Sequence, residues 1–215
     1  MSQEPSLRLS PPVLMLVTDR HLAGGFEALV AAVEAAVEGG LNAVQLRERD
    51  LPPTDLLALA RRLRAVTSGR ALLFVNSSLE VALAAGADGI HLPEAAPTIE
   101  RPDRPLLVGR SVHSREAARR AWGECSDYII AGPIFGTASH PVSRPAGLEL
   151  VQTIAGAVAI PVLAIGGITA YRVEDVVRAG ASGVAVISAV LEADSPRRAA
   201  EELRQALRGA WAATE

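Results

Sequence analysis

The chain has 215 residues, 49% of them apolar and only 3% aromatic, and a formal net charge of −3. That length suits one domain with a sizeable core, the Ala-, Val- and Leu-rich composition suits helices packed on a buried parallel sheet, and the mild negative charge argues against a nucleic-acid partner. A lone Cys125 excludes an internal disulfide, no stretch reaches the ~20 apolar residues of a membrane span and no secretory signal is read, so a cytoplasmic protein is expected.

Residues 1–10 read as a polar, disordered tail closed by Pro11-Pro12, and residues 11–215 as the folded domain. Val13–Val17 is an apolar run followed by Thr18, Asp19, Arg20 and His21; Phe26–Val37 has helical periodicity and stops at Gly39-Gly40. Leu41–Leu46 is the next strand, with Arg47, Glu48, Arg49 and Asp50 crowding its end, and Thr54 or Asp55 is the expected cap of a helix running to about Thr67. Strand three, Ala71–Val75, ends in Asn76, Ser77 and Ser78; a short helix Glu80–Ala85 leads to strand four, Gly89–Leu92, with Pro93 and Glu94 after it. Residues 95–105 carry three prolines and read as a loop. Strand five is predicted over Leu106–Gly109, ending at Ser111, Val112 and His113, with Ser114 capping a helix through Trp122. Strand six, Asp127–Ala131, is followed by a Gly- and Pro-rich loop, Gly132–Ala146, and a helix over Leu148–Gly156.

Strand seven, Val162–Ile165, breaks at Gly166-Gly167; Thr169 is the expected cap of a helix ended by Gly180, and strand eight, Val184–Ile187, ends in Ser188. Pro196–Trp211, capped by Ser195, closes the chain. Gly40-Leu41-Asn42-Ala43-Val44, Gly86-Ala87-Asp88-Gly89-Ile90 and Gly180-Ala181-Ser182-Gly183-Val184 repeat one helix-stop, strand-start device. Eight strand–helix units with such a repeat predict an α/β fold, a single (β/α)8 TIM barrel, with a doubly wound open sheet as the other arrangement.

On a barrel the loops after the strands form the active face, and polar residues gather there. All four histidines (His21, His91, His113, His140), together with Arg47, Glu48, Arg49, Asn76, Ser111 and Ser188, fall at or just past strand ends. His91, flanked by Ile90 and Leu92, reads as packed and hydrogen-bonded rather than catalytic. Gly166-Gly167 and the Ile187–Ser188 strand end are the expected phosphate cradle, because glycines admit backbone N–H groups close to an anion and a following helix adds the positive end of its dipole. All 21 basic residues are arginine, which stays protonated, so lysine Schiff-base chemistry is excluded.

Val17–Arg20, Gln45–Asp50, Gly86–Leu92, Gly109–His113, Gly132–Phe135 and Ala164–Ile168 together resemble, in order, the thiamin phosphate synthase family, over roughly Val13 to Leu191. The resemblance implies a barrel that binds a thiazole phosphate; the synthase joins it to a pyrimidine diphosphate with Mg²⁺ and expels pyrophosphate. It implies further that Gln45 holds the pyrimidine and Arg47 the diphosphate. Thr137 and Ser139 are hydroxyl donors by the same match, and Gly167 with the Ile187–Ser188 backbone cradles the thiazole phosphate. The family's two Mg²⁺ carboxylates fall on Ser77 and Ala96, a loop lysine falls on His140, and the catalytic histidine of the TenI-like thiazole tautomerase branch falls on Pro133.

Leu92-Pro93 resembles the tautomerase branch, and a hard cation binds poorly without anionic oxygen. The expectation is therefore a metal-free thiazole tautomerase without cofactor, using His140, or else His113 or Glu48, as proton carrier. The synthase is the alternative, with Glu94 or Asp88 recruiting Mg²⁺; a non-catalytic thiazole-phosphate binder and, by fold analogy, a sugar-phosphate isomerase or epimerase follow. The expected partner is the small-molecule thiazole phosphate, with no membrane and a homodimer as one possible assembly.

Overall fold

The computed structural model describes residues 7–136 and 144–214. Eight parallel strands close into one barrel: β1 (Val13–Val17), β2 (Ala43–Leu46), β3 (Leu72–Asn76), β4 (Gly89–Leu92), β5 (Leu107–Val112), β6 (Tyr128–Ala131), β7 (Val162–Ile165) and β8 (Gly183–Val186). Each strand pairs with the next, and β8 returns to β1 with Val13 opposite Gly183 and Leu16 opposite Val186. Helices α1 (Arg20–Ala23), α2 (Phe26–Glu38), α3 (Pro53–Thr67), α4 (Leu79–Ala84), α5 (Arg115–Gly123), α6 (Leu148–Ala155), α7 (Val173–Arg178), α8 (Ser188–Leu191) and α9 (Pro196–Ala212) lie among the strands in chain order. This is a (β/α)8 barrel.

Strand side chains alternate between the interior and the helix layer. Met15, Phe74, Tyr128, Leu163 and Ala185 pack inside, while Leu14, Leu16, Val44, Leu73 and Val184 face outward into the apolar stripes of the helices. Two glycines make the interior aromatics possible: a Cβ on Gly89 would run into the Phe74 ring, and one on Gly109 into Tyr128. The two rings then meet edge-on with centroids 5.0 Å apart. Leu9, in the stretch read as tail, is buried beneath the barrel with Val13 and Met15.

The strand-start repeat has a structural purpose. Asn42 Oδ1 accepts from the Leu14 N–H at 2.8 Å, Asp88 Oδ2 from Leu73 at 2.7 Å, Asp127 Oδ2 from Val108 at 2.7 Å, and Ser182 Oγ from Val162 at 3.3 Å. In each case a residue entering an even strand satisfies an N–H at the start of the preceding odd strand, where the ladder supplies no partner. The device therefore occurs four times, and the copy not evident in the sequence is Cys125-Ser126-Asp127.

Several boundaries differ from the sequence reading. β5 continues to Val112: Arg110 turns outward and its buried guanidinium donates to the loop after β4, with Ala96 O at 2.6 Å, while Ser111 turns inward. Neither Thr54 nor Asp55 caps α3, which begins on Pro53, where the ring presets the first helical φ. Thr169 makes no side-chain cap; a 3₁₀ turn, Ala170–Arg172, precedes α7. The four-residue helices α1, capped by the Asp19 carboxylate, and α8, which follows β8, are too short to show periodicity in sequence.

Candidate functional site

A cavity of about 290 Å³ opens at the C-terminal ends of the strands. Its β7–β8 side is made of backbone. Gly166 and Gly167 hold left-handed φ values of 102° and 62°, and a Cβ would run into Pro133 at the first and into Phe135 and the Gly136 carbonyl at the second. The turn is pinned from three directions: Ile134 N donates to Ile165 O at 2.8 Å, Phe135 N to Gly166 O at 3.0 Å, and Arg172 Nη1 to Gly167 O at 2.7 Å. The Arg172 guanidinium also lies 4.6 Å from the centre of the Phe135 ring. Beside this turn, at the end of the neighbouring β8, Ile187 and Ser188 line the cavity where α8 begins. Fixed glycine backbone and unpaired N–H groups at a helix start suit an anion.

The cavity floor is polar. Gln45 is buried; its Nε2 donates to Asn76 Oδ1 at 3.3 Å, and its Oε1 has no partner among the described residues. Asn76 Nδ2 donates to Ser77 Oγ at 2.8 Å, and Ser77 holds a left-handed φ of 63°. His91 stands between two hydroxyls, Nε2 at 2.9 Å from Ser111 Oγ and Nδ1 at 3.2 Å from Tyr128 Oη. Burial, with the nearby Arg47 and Arg110 charges, lowers its pKa to about 3, so the ring is neutral and orients Ser111 rather than exchanging protons near neutrality. Burial also raises the Tyr128 phenol well above its ordinary range.

The β2 side is cationic. Gln45, Arg47 and Arg49, at every second position, all reach the cavity, and Arg49 also lines a neighbouring recess with Ser77 and Ser78. Among the described residues neither guanidinium has a salt-bridge or hydrogen-bond partner, whereas the other cations here are matched. Arg20 forms a two-pronged pair with Asp50 at 2.6 Å and reaches Glu48 at 3.2 Å, and His21 approaches Asp50 at 3.1 Å. His113 sets both its backbone N–H and its Nδ1 on Glu94, at 2.7 and 2.8 Å. Desolvation and then the neighbouring Arg49 charge lower the Arg47 pKa, while Arg20 depresses that of Asp50.

The structure thus gathers Gln45, Arg47, Asn76, Ser111, His113, Gly166, Gly167, Ile187 and Ser188 around one cavity. Glu48, considered as a base, faces the recess instead, with its side chain 2% exposed. Its carboxylate accepts from Thr18 Oγ1 at 2.7 Å, from the Arg20 N–H at 3.1 Å and from the Arg20 guanidinium, which makes it a brace for the β1 loop. Thr137, Ser139 and His140 lie outside the described residues. The sequence reading set Arg49 on the active face and offered Glu94 only as a Mg²⁺ ligand, counting neither among the substrate-binding residues, and it left out Pro93; the position of Arg49 just past a strand end was the available signal.

A divalent cation does not fit the donors present. Ser77 and Ala96 hold the two positions where the family resemblance places carboxylates, and Asp88 sits at the opposite end of the barrel, bound to the Leu73 N–H and Arg64. Glu48, Asp50 and Glu94 are each engaged by cations or N–H groups, and no group of three or more Asp, Glu, His or Cys residues able to hold a metal occurs among the described residues.

Fold and site together define a barrel with a small-molecule cavity at the C-terminal ends of its strands, with a glycine turn and a helix start on one side and, among the described residues, guanidinium groups without a salt-bridge partner on the other. A family model described as thiamine monophosphate synthase matches residues 14–190, and the chain belongs to that family. It is 42% identical over 197 residues to a thiamine-phosphate synthase of Roseiflexus castenholzii, covering 89% of this chain and 86% of that one. To the thiamine-phosphate synthase of Methanoculleus marisnigri it is 42% identical over 205 residues, covering 93% and 97%. A solved thiamine phosphate pyrophosphorylase from Pyrococcus furiosus superposes with a TM-score of 0.81 at 36% identity, covering 92% of this chain and 96% of that one.

These likenesses overturn the expected thiazole tautomerase. Relatives that match nearly end to end carry the synthase name. Of the groups offered as proton carriers, Glu48 is a buried brace, His113 lines the cavity with its Nδ1 on Glu94, and His140 lies outside the described residues. Among the described residues no helix is long and apolar enough to cross a membrane.

Proposed function

We propose that the chain is a thiamine-phosphate synthase, joining a thiazole phosphate to hydroxymethylpyrimidine diphosphate with release of pyrophosphate. The observation that carries this reading is one cavity with two anion-suited sides, the Gly166-Gly167 turn and α8 start on one and Arg47 with Arg49 on the other, separated by the floor residues Gln45 and Asn76. A tautomerase needs a single phosphate subsite; a condensation of a monophosphate with a diphosphate needs two. The near-full-length likeness to synthases at about 40% identity points the same way.

In this reading Gly167 and the Ser188 amide hold the thiazole phosphate, and the unpartnered Gln45 Oε1 accepts from the pyrimidine amine. Ser111, held by His91, offers a hydroxyl at the cavity wall. The pyrimidine methylene–oxygen bond breaks with both electrons going to the diphosphate oxygen. The lone pair of the thiazole ring nitrogen forms the new bond to that carbon, and no proton moves in the step. The protein's task is positioning and charge neutralisation, which suits a cavity in which the buried His91 is neutral. The purified protein, a soluble cytoplasmic enzyme in this reading, is expected to form thiamine phosphate and pyrophosphate in equal amounts when given both substrates. Product formation followed by chromatography tests this, and no product under any buffer condition would reject the synthase.

A further inference from the structure

We propose that Arg47 and Arg49 together take over the neutralisation of the diphosphate in this chain, so that the diphosphate is bound, and leaves, without a divalent cation. That the anion is a diphosphate rests on the synthase reading; what surrounds it follows from the geometry.

Arg49 lines both the main cavity and the adjoining recess, where it shares the wall with Asn76, Ser77, Ser78, Pro93 and the braced Glu48. Arg49 therefore shares a recess with one of the two positions at which the family resemblance implies a metal carboxylate, now Ser77. The other, Ala96, is held from behind: its carbonyl accepts from Arg110 at 2.6 Å, which fixes the loop without offering an acid. The charge count stays balanced. Two carboxylates and the dication they would bind cancel one another, so losing all three leaves the net charge facing a diphosphate unchanged. The acids that remain nearby, Asp19, Glu48 and Glu94, are engaged elsewhere by N–H groups or cations, and Asp19 and Glu48 act on Arg47 only beyond salt-bridge distance.

The pair is poised for such a ligand. Arg20, His21 and His113 are matched by Glu48, Asp50 and Glu94, but among the described residues Arg47 and Arg49 have no counter-ion. Two like charges at close quarters, one of them partly desolvated, repel until an anion is placed between them. A guanidinium presents paired N–H donors matched to two oxygens of a phosphate, so the two side chains can hold both phosphoryl groups as negative charge builds on the departing oxygen.

Pyrophosphate is the probe. Its affinity for the full-length protein, measured calorimetrically, is expected to be nearly the same in EDTA as in excess Mg²⁺, and thiamine phosphate is expected to form in both. Arg49→Met and Arg47→Met are each expected to weaken pyrophosphate in EDTA by roughly tenfold or more, the loss of one charge-assisted contact, with circular dichroism unchanged. Arg49→Lys, which keeps the charge but not the fork, is expected to fall between. Tightening by about tenfold or more on adding Mg²⁺, or equal affinity in the methionine variants, overturns the metal-free site even if the protein proves to be a synthase. Metal-free pyrophosphate binding that depends on both arginines, with no product formed, would reject the synthase and leave the anion site in place.

Discussion

Gly167 is a poor position at which to test the phosphate cradle, although the sequence marks it plainly. With φ at 62° and the Gly136 carbonyl in the path of any Cβ, Gly167→Val would distort the turn, and lost binding would not isolate the ligand contact. Ser188 separates the two effects. It is the first residue of α8, where an acid is compatible with the helix dipole, and it lines the cavity beside the expected phosphate. Ser188→Glu is expected to leave the melting temperature within about 2 °C and to weaken inorganic phosphate or thiazole phosphate by about tenfold or more through like-charge repulsion. Calorimetric titration checks this; unchanged affinity would place the phosphate elsewhere. At this scale the sequence was legible where backbone chemistry forces a residue type, as at Gly166-Gly167. It was not where meaning depends on the partner: nothing in the string distinguishes the buried, braced Glu48 from Arg47 and Arg49 on either side of it, which have no salt-bridge partner among the described residues.

Elements were legible in proportion to their burial. Parallel strands covered on both faces read as apolar runs bounded by glycine, so all eight appear in the sequence. β5 was cut short because Arg110 looks like a strand end until the loop that buries its guanidinium is in place. The fourth strand-start copy was hidden by one residue: Gly40, Gly86 and Gly180 hold φ values of 95°, 64° and 101°, and the equivalent residue before β6 is Cys125 at 62°. Cys125 adopts a glycine's backbone without being one, at a cost of about 1–2 kcal/mol. Cys125→Gly is therefore expected to leave stability unchanged or slightly raised, because relief of that strain offsets the extra freedom of the unfolded chain. Gly86→Ala, where a Cβ meets nothing within 4 Å, is expected to cost about 1 kcal/mol from the backbone alone. Urea midpoints of the two variants test the pairing, and a loss of about 1 kcal/mol or more in Cys125→Gly would show that the four positions are not equivalent.

At the scale of the molecule, the two ends of the barrel have different tasks. The N-terminal end is closed by matched polar caps and by Leu9, and among the described residues the C-terminal end keeps an unpartnered acceptor and two cations without a salt-bridge partner. The placement of the site was legible from that asymmetry, because residues after a barrel strand face the cavity mouth. The reaction was not: the tautomerase expectation rested on Leu92-Pro93 and on two missing carboxylates, and a missing charge does not reveal whether another group has taken over its role. Between the two ends lies His91, bridging β4, β5 and β6 through Ser111 and Tyr128, and it ties overall stability to pH. Its folded pKa is lowered from 6.5 to about 3. Between those values the unfolded chain binds a proton at this site and the folded chain does not, so stability is fully present above 6.5 and is lost as the pH falls toward 3. The slope is at most about 1.4 kcal/mol per pH unit, or about 2 kcal/mol between pH 7 and pH 5. His91→Asn is expected to be less stable than the native protein at pH 7, having lost buried hydrogen bonds, yet to change less between pH 7 and pH 5. Urea denaturation of both proteins at the two pH values measures the difference, and parallel losses would mean that His91 is not held neutral in the barrel.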